Sequence, residues 1–392
     1  MSNTLGWRLD SPVGVVIIVA TVYLLFLIVR LSIFGFNPAW FIAAGDKFCD
    51  HTLIPNGILI YKNSAGYDGE FYYRLALNPF TSRETEFGIQ FDFPAYRQQR
   101  IIYPLLVWIF SFGNPQLIPW MLIAINYIGL CCLAWFGAQY AKEMHQSAFW
   151  GILLPLFPGF ILTLSRDLTE IITVMFLVGS LLYIRKTQPI LATILLILAI
   201  FTKETAIIAA GAIFCIYSYA IWKKKSHPLI PWYVAVVPII VYIGWQILLW
   251  LHWRQIPGLS GNKNLGIPLL GFISFIREIV ELQTIHQKLW FIEIVYLLFL
   301  SLVLIYTFRR ATTLPVEKLI LLFYAGLISL LTTCVWTEDW AFLRTISEYY
   351  VFGIISILTV QNKWRTIVFI VTIILWLALF WTRANTQIPY FL

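Results

Sequence analysis

A chain of 392 residues with 60% hydrophobic and only 12% charged side chains is no ordinary soluble domain, where charge runs near about 25%. Its mean hydropathy of +0.80 comes from repeated apolar runs long enough to cross a bilayer as helices, and the short alternating segments of a β-barrel are absent. The net charge of +8 sits in short basic clusters between those runs, as the positive-inside rule produces, so no nucleic-acid partner is expected. Cys49, Cys131, Cys132, Cys215 and Cys334 form no CxxC pair, and the five histidines have no ligand spacing, so no metal site is read from either.

The N-terminal apolar run from about Val13 to Val29, preceded by Arg8, is too long for a cleaved signal and has no small-x-small site after it; it is expected to stay as an anchor. The first span is placed at about 13–34, followed by a polar loop over 35–100 rich in Gly, Pro, Asp and Tyr. Ile101–Phe112 is apolar but too short to span, and is expected to re-enter or lie in the interface. The second span is about 117–141. The third, about 147–164, holds Pro155 and Pro158-Gly159 and is expected to break. Ser165–Glu170 forms a tight polar turn before a fourth span that stops at Arg185-Lys186. A short fifth (about 189–201) ends at Thr202-Lys203-Glu204-Thr205, and a sixth stops at Lys223-Lys224-Lys225.

The seventh span, about 229–251, leads into a second loop over 252–289 with Gly258, Gly261 and Gly266. The helical alternation of Ile273–Gln287 predicts an amphipathic helix on the membrane surface. Spans eight (about 291–308) and nine (about 318–335) follow, then a short polar loop at Trp336–Arg344. Span ten ends near Val360, and the eleventh runs toward the C-terminus. The expected fold class is therefore all-α: a polytopic transmembrane helical bundle of about 11 spans forming one domain over residues 1–392.

With the N-terminus in the cytoplasm, the basic loops at Lys142, Arg185-Lys186, Lys223–Lys225, Arg309-Arg310 and Lys363–Arg365 all fall on the cytoplasmic side. The opposite face receives residues 35–100, Arg166-Asp167-Glu170, Lys203-Glu204, residues 252–289 and Glu338-Asp339-Arg344. That face also carries the densest polar and aromatic writing, Gly66-Tyr67-Asp68-Gly69-Glu70-Phe71-Tyr72-Tyr73-Arg74, and after it Tyr96-Arg97-Gln98-Gln99-Arg100.

Asp68 can be read as a helix N-cap, or as an acid at the mouth of a membrane cavity acting as general base. In the second reading Gly69 admits substrate close to the backbone, and Tyr67, Phe71, Tyr72 and Tyr73 give an amphipathic wall. Asp46 and Asp50 are alternative bases without the aromatic setting. Asp167 and Glu170 suit a helix start, and with Arg166 are also open to a substrate or metal role. Arg100 as an interface snorkel, Lys203 paired with Glu204, and Arg344 paired with Asp339 or Glu338 are the structural alternatives for the cations.

Tyr67-Asp68-Gly69-x-Phe71-Tyr72-x-x-Leu75-Ala76, followed by Arg100-x-x-Tyr103-Pro104-Leu105-Leu106, resembles the GT-C membrane glycosyltransferases. It is similar to the branch that includes the second GPI mannosyltransferase, and closer to bacterial proteins of cell-surface glycopolymer formation that carry a YDGQFYY signature, where Glu70 here stands in place of Gln. The resemblance implies a GT-C-like fold in the bacterial cytoplasmic (inner) membrane with an extracytoplasmic active site. It implies inverting transfer of a sugar from a polyprenyl-phosphate donor to a glycan, glycolipid or protein acceptor, with membrane lipid around it. Asp68 would be the base; Glu70, Tyr72, Arg100, Tyr103, Arg166, Asp167, Lys203, Glu204 and Arg344 would bind substrate, with Arg100, Lys203 and Arg344 facing the phosphate. Some such enzymes use a divalent cation; no acid cluster here requires one. The alternatives are a flippase or transporter of a lipid-linked glycan, or a non-catalytic subunit of a glycopolymer assembly. The near absence of ionisable groups within the apolar interiors favours the enzyme over the transporter.

Overall fold

The computed structural model describes residues 10–224, 230–259, 264–278, 285–337 and 339–385, without the side chains of 277, 278, 285–287, 339 and 340. Arg8, Lys225, Gly261, Glu338 and the Asp339 side chain, all named above, lie outside it.

The chain opens on α1 (Pro12–Ile33), started by the Ser11 hydroxyl, which accepts from the Gly14 amide at 3.0 Å, and by Pro12 at its first position. Within the following loop α2 (Gly69–Leu77), α3 (Pro94–Gln98) and α4 (Ile102–Ser111) are short. Then come α5 (Ile118–Glu143), α6 (Gly159–Leu164), α7 (Glu170–Arg185), α8 (Pro189–Thr202), α9 (Ile207–Trp222) and α10 (Trp232–Trp253). The last third holds α11 (Leu270–Glu278), α12 (Ile285–Thr307), α13 (Pro315–Ser329), α14 (Thr333–Trp336), α15 (Asp339–Thr345), α16 (Ser347–Leu358) and α17 (Asn362–Asn385).

Each stretch expected to span is largely helical, except that 147–164 breaks and 318–335 is interrupted between α13 and α14. Six described helical stretches are long and apolar enough to cross a membrane: Pro12–Ile33, Ile118–Glu143, Glu204–Trp222, Trp232–Trp253, Lys288–Thr307 and Asn362–Asn385. The region 147–164 breaks as its prolines require, into a 3-10 turn at Ala148–Leu153 and then α6. The amphipathic segment is α11, whose helix is described to Glu278; 279–284 fall outside. One expectation is corrected. Residues 336–344 are not a polar loop, because Trp336, Phe342 and Leu343 are buried, and the segment winds into the end of α14 and most of α15.

α1, α5 and α7 pack in succession, with α8 along α7, and α9 lies against α10 and α13. Backbones meet closely where α5 crosses the 3-10 turn. A Cβ on Gly151 would stand 2.3 Å from the Ala138 amide nitrogen, so only glycine fits. The loop between α1 and α4 is pinned by two small sheets. β1 (Ala44–Gly45) pairs in parallel with β2 (Ile60–Tyr61), and β3 (Thr85–Glu86) antiparallel with β4 (Ile89–Gln90).

Candidate functional site

A cavity of about 480 Å³ opens where α2, α3, the α8–α9 junction, the segment after α10, the C-terminal end of α13 and α15 converge. Its walls include Tyr67, Asp68, Tyr96, Arg97, Arg100, Glu170, Lys203, Glu204, Asn264, Leu331 and Arg344. The five segments assigned from charge to one face all contribute to this one space.

Asp68 precedes the first turn of α2, but its side chain caps no amide, so the N-cap reading is corrected. Its carboxylate takes Arg97 at 2.7 Å on one oxygen and Arg344 at 3.1 Å on the other. Two desolvated guanidiniums outbid weak first-turn amides. Burial alone would raise its pKa, but Arg97, then Arg344 and Arg100, outweigh that and hold Asp68 well below the ordinary carboxylate range.

From Asp68 the charges alternate across the cavity. Arg344 also donates to Glu170 at 2.9 Å, and the Lys203 ammonium lies 3.2 Å from Glu170 and 3.7 Å from Glu348. Arg100 grips Glu204 with two bonds of 2.7 and 2.5 Å, and donates to Tyr72 Oη at 3.1 Å and Tyr96 Oη at 2.5 Å. The structural alternatives for the cations are thereby replaced. Arg100 does not snorkel, Lys203 pairs with Glu170 rather than Glu204, and Arg344 reaches Asp68 and Glu170. Glu170 sits at a helix start as expected, yet its carboxylate serves these two cations.

Other expected site residues stand elsewhere. Glu70 is fully buried behind α2, its Oε2 accepting from the Gly45 amide (2.9 Å) and the Cys49 thiol (3.3 Å). Burial, only partly offset by those bonds, pushes its carboxyl up to about 8. Tyr103 is buried, donating to Leu122 O and accepting from the Asn126 amide, each at 2.9 Å, and it supports Tyr72 edge-on at 5.8 Å. Arg166 and Asp167 also lie outside the cavity walls. Asp167 is fully buried with a left-handed φ of 52°, neither oxygen hydrogen-bonded among the described residues. Burial pushes its carboxyl well above the ordinary range, Arg30 opposing. The alternative bases are spent on turns: Asp46 accepts from the Asn63 and Ser64 amides, and Asp50 from the Thr52 amide and hydroxyl.

Gly69 does not face a substrate. A Cβ there would lie 2.5 Å from Arg166 O and 2.6 Å from Ile42 O, so its role is to seat α2 against the chain. Of the expected aromatic wall only Tyr67 lines the cavity. Phe71 packs with Leu75 and Phe91, Tyr73 is in the core, and Tyr72 reaches the site through its hydroxyl on Arg100. Sequence reasoning passed over Arg97, which bridges Asp68 and Asp92 (2.6 Å) with its guanidinium over the Phe71 ring at 4.1 Å, and over Tyr96, Asp92 and Glu348. The available signal was the polar run Tyr96–Arg100 itself.

Among the described residues no three metal-ligating side chains converge. The cavity's carboxylates are already bridged by cations, Asp68 and Asp92 by Arg97 and Asp68 and Glu170 by Arg344. What the arrangement offers is four cations, Arg97, Arg100, Lys203 and Arg344, interleaved with the carboxylates of Asp68, Asp92, Glu170 and Glu204 around one cavity, a setting suited to an anionic ligand and a proton-bearing nucleophile together. Comparison with known protein families, curated proteins and solved structures returned no match.

Proposed function

We propose that this chain is a GT-C-type membrane glycosyltransferase that moves a sugar from a polyprenyl-phosphate donor to a cell-envelope acceptor at the extracytoplasmic face, with inversion. The observation that carries the reading is the meeting of Asp68 with Arg97, Arg100, Lys203 and Arg344 around one cavity. An acid alone is not enough, since the chemistry also needs cations for a departing phosphate.

In this reading the acceptor hydroxyl gives its proton to Asp68 while its oxygen bonds to the sugar C1. The C1–O bond to the donor phosphate breaks, and its electron pair stays on the polyprenyl phosphate. The bound proton later leaves Asp68 for water. In the resting site Asp68 is a poor base, because two arginines hold it ionised. A phosphate entering the cavity competes for Arg97 and Arg344, and Asp68 gains basicity as it loses them. Donor binding and base activation become one event.

The test is sugar transfer by the purified protein from a panel of polyprenyl-phosphate sugars, wild type beside Asp68→Asn. Transfer by wild type and its loss in a variant that still binds donor is the expected outcome. Transfer surviving in Asp68→Asn removes Asp68 as the base. No transfer from any donor, together with movement of a lipid-linked glycan across vesicles containing wild type, moves the assignment to a flippase.

A further inference from the structure

A second cavity, of about 450 Å³, shares no lining residue with the first and lies between the end of α12 and the middle of α13. Its walls are Leu304, Ile305, Leu321, Leu322 and Ala325, with Tyr349 of α16 beyond them. Arg309 and Arg310 stand at its mouth, at the end where the basic loops gather. Helix α13 serves both cavities, giving Leu327 to the first and Leu321 and Ala325 to the second.

Apolar walls do not by themselves choose an occupant; the charge at the mouth does. Among the described residues no salt bridge engages Arg309, Arg310 or Lys318. Glu317, the acid beside Lys318, is taken by Arg185. Arg310 is held on the rim by its stack on Tyr306 (4.7 Å) and a 3.0 Å bond to the Tyr306 hydroxyl. Lys318 stands 5.6 Å from the ring centre of Phe308, another wall residue. Arg309 and Arg310 in the wall, and Lys318 beside the wall residue Phe308, thus bring three cations without salt bridges among the described residues to a mainly apolar cavity. A fixed guanidinium binds a phosphate bidentately, and basic pockets between spanning helices suit lipid headgroups.

We propose that this groove holds an anionic phospholipid, with its phosphate among Arg309, Arg310 and Lys318 and one acyl chain along Leu304, Leu321 and Ala325 toward Tyr349. The site is separate from the Asp68 cavity and does not depend on the function proposed for it.

The experiment is native mass spectrometry of the full chain in detergent with phosphatidylglycerol, phosphatidylcholine or free glycerol phosphate. Wild type is expected to retain phosphatidylglycerol about tenfold over phosphatidylcholine, and to retain no glycerol phosphate. The Arg309→Gln/Arg310→Gln pair is expected to lose that preference, Arg309→Lys/Arg310→Lys to keep most of it, and Ala325→Trp to lose retention by filling the groove. Equal retention of the two lipids by wild type overturns the proposal, as does undiminished preference in the glutamine pair. Retention of glycerol phosphate as strong as that of the lipid would make this a free-phosphate site and overturn it too. Should the glutamine pair fail to fold, salt decides on wild type: phosphatidylglycerol retention must fall as ionic strength rises, and salt-independent retention overturns the assignment.

Discussion

Two carboxyls two residues apart at the start of α2 are driven in opposite directions, Asp68 below its ordinary range by arginines and Glu70 up to about 8 by burial. Glu70 therefore keeps a proton that the unfolded chain sheds near its ordinary value of 4.5. Folded protein binds more protons across that interval, so stability falls as pH rises from about 4.5 to about 8, at up to about 1.4 kcal/mol per unit. Glu70→Gln is expected to remove most of this slope, read as the change in unfolding midpoint between pH 5 and pH 8. An equal decline in both proteins would put the proton elsewhere. Asp68 does not confuse the measurement, since its contribution is fully present above its unfolded pKa and is lost only as pH falls toward its depressed folded value. Asp68, which does stand in the cavity wall, was legible as a candidate from its aromatic setting together with the resemblance of the stretch around it. Arg97 was not, since nothing local says that α3 folds back onto α2.

At the scale of elements, boundaries followed the chain's own stop signals. α7 ends on Arg185 and α8 starts with Pro189; α5 ends at Lys142-Glu143. What escaped the reading was the use made of short pieces. Gly69 looked like an opening for substrate and is instead a point where α2 presses on Arg166 O and Ile42 O. Gly69→Ala is expected to cost about 1–3 kcal/mol through overpacking and to displace Asp68, which precedes it. A lowered unfolding midpoint together with weaker transfer checks this; unchanged stability would mean that the contact gives way freely. Residues 336–344 escaped for a related reason: their charges hid the apolar side formed by Trp336, Phe342 and Leu343.

Across the whole molecule, charge gathers at two ends of an apolar body. At the end away from Asp68, Glu317 accepts two bonds from Arg185 (2.6 and 2.7 Å), one from the Leu314 amide and one from Tyr140, tying α13 to α7 and α5. Glu317→Gln leaves Arg185 uncompensated beside a buried partner, and a loss of roughly 3–5 kcal/mol is expected. Denaturant unfolding in detergent measures it, and a change below about 1 kcal/mol would show that solvent reaches the pair. The sorting of loops between the two ends could be foreseen from charge alone, because each span reverses the chain. The pairing within an end could not, since it depends on how neighbouring helices rotate.

Asp68 meets Arg97 only 29 residues onward but Arg344 only 276 residues onward. At a synthesis rate of roughly 5–20 residues per second, roughly 14 to 55 s separate the making of Asp68 from that of its second partner. During that interval the half-made chain holds an acid satisfied on one side alone, and Glu170 and Lys203 arrive in between. The cavity's set of cations is thus completed only late in biogenesis, and a chain that stalls before α15 lacks the arginine that closes it.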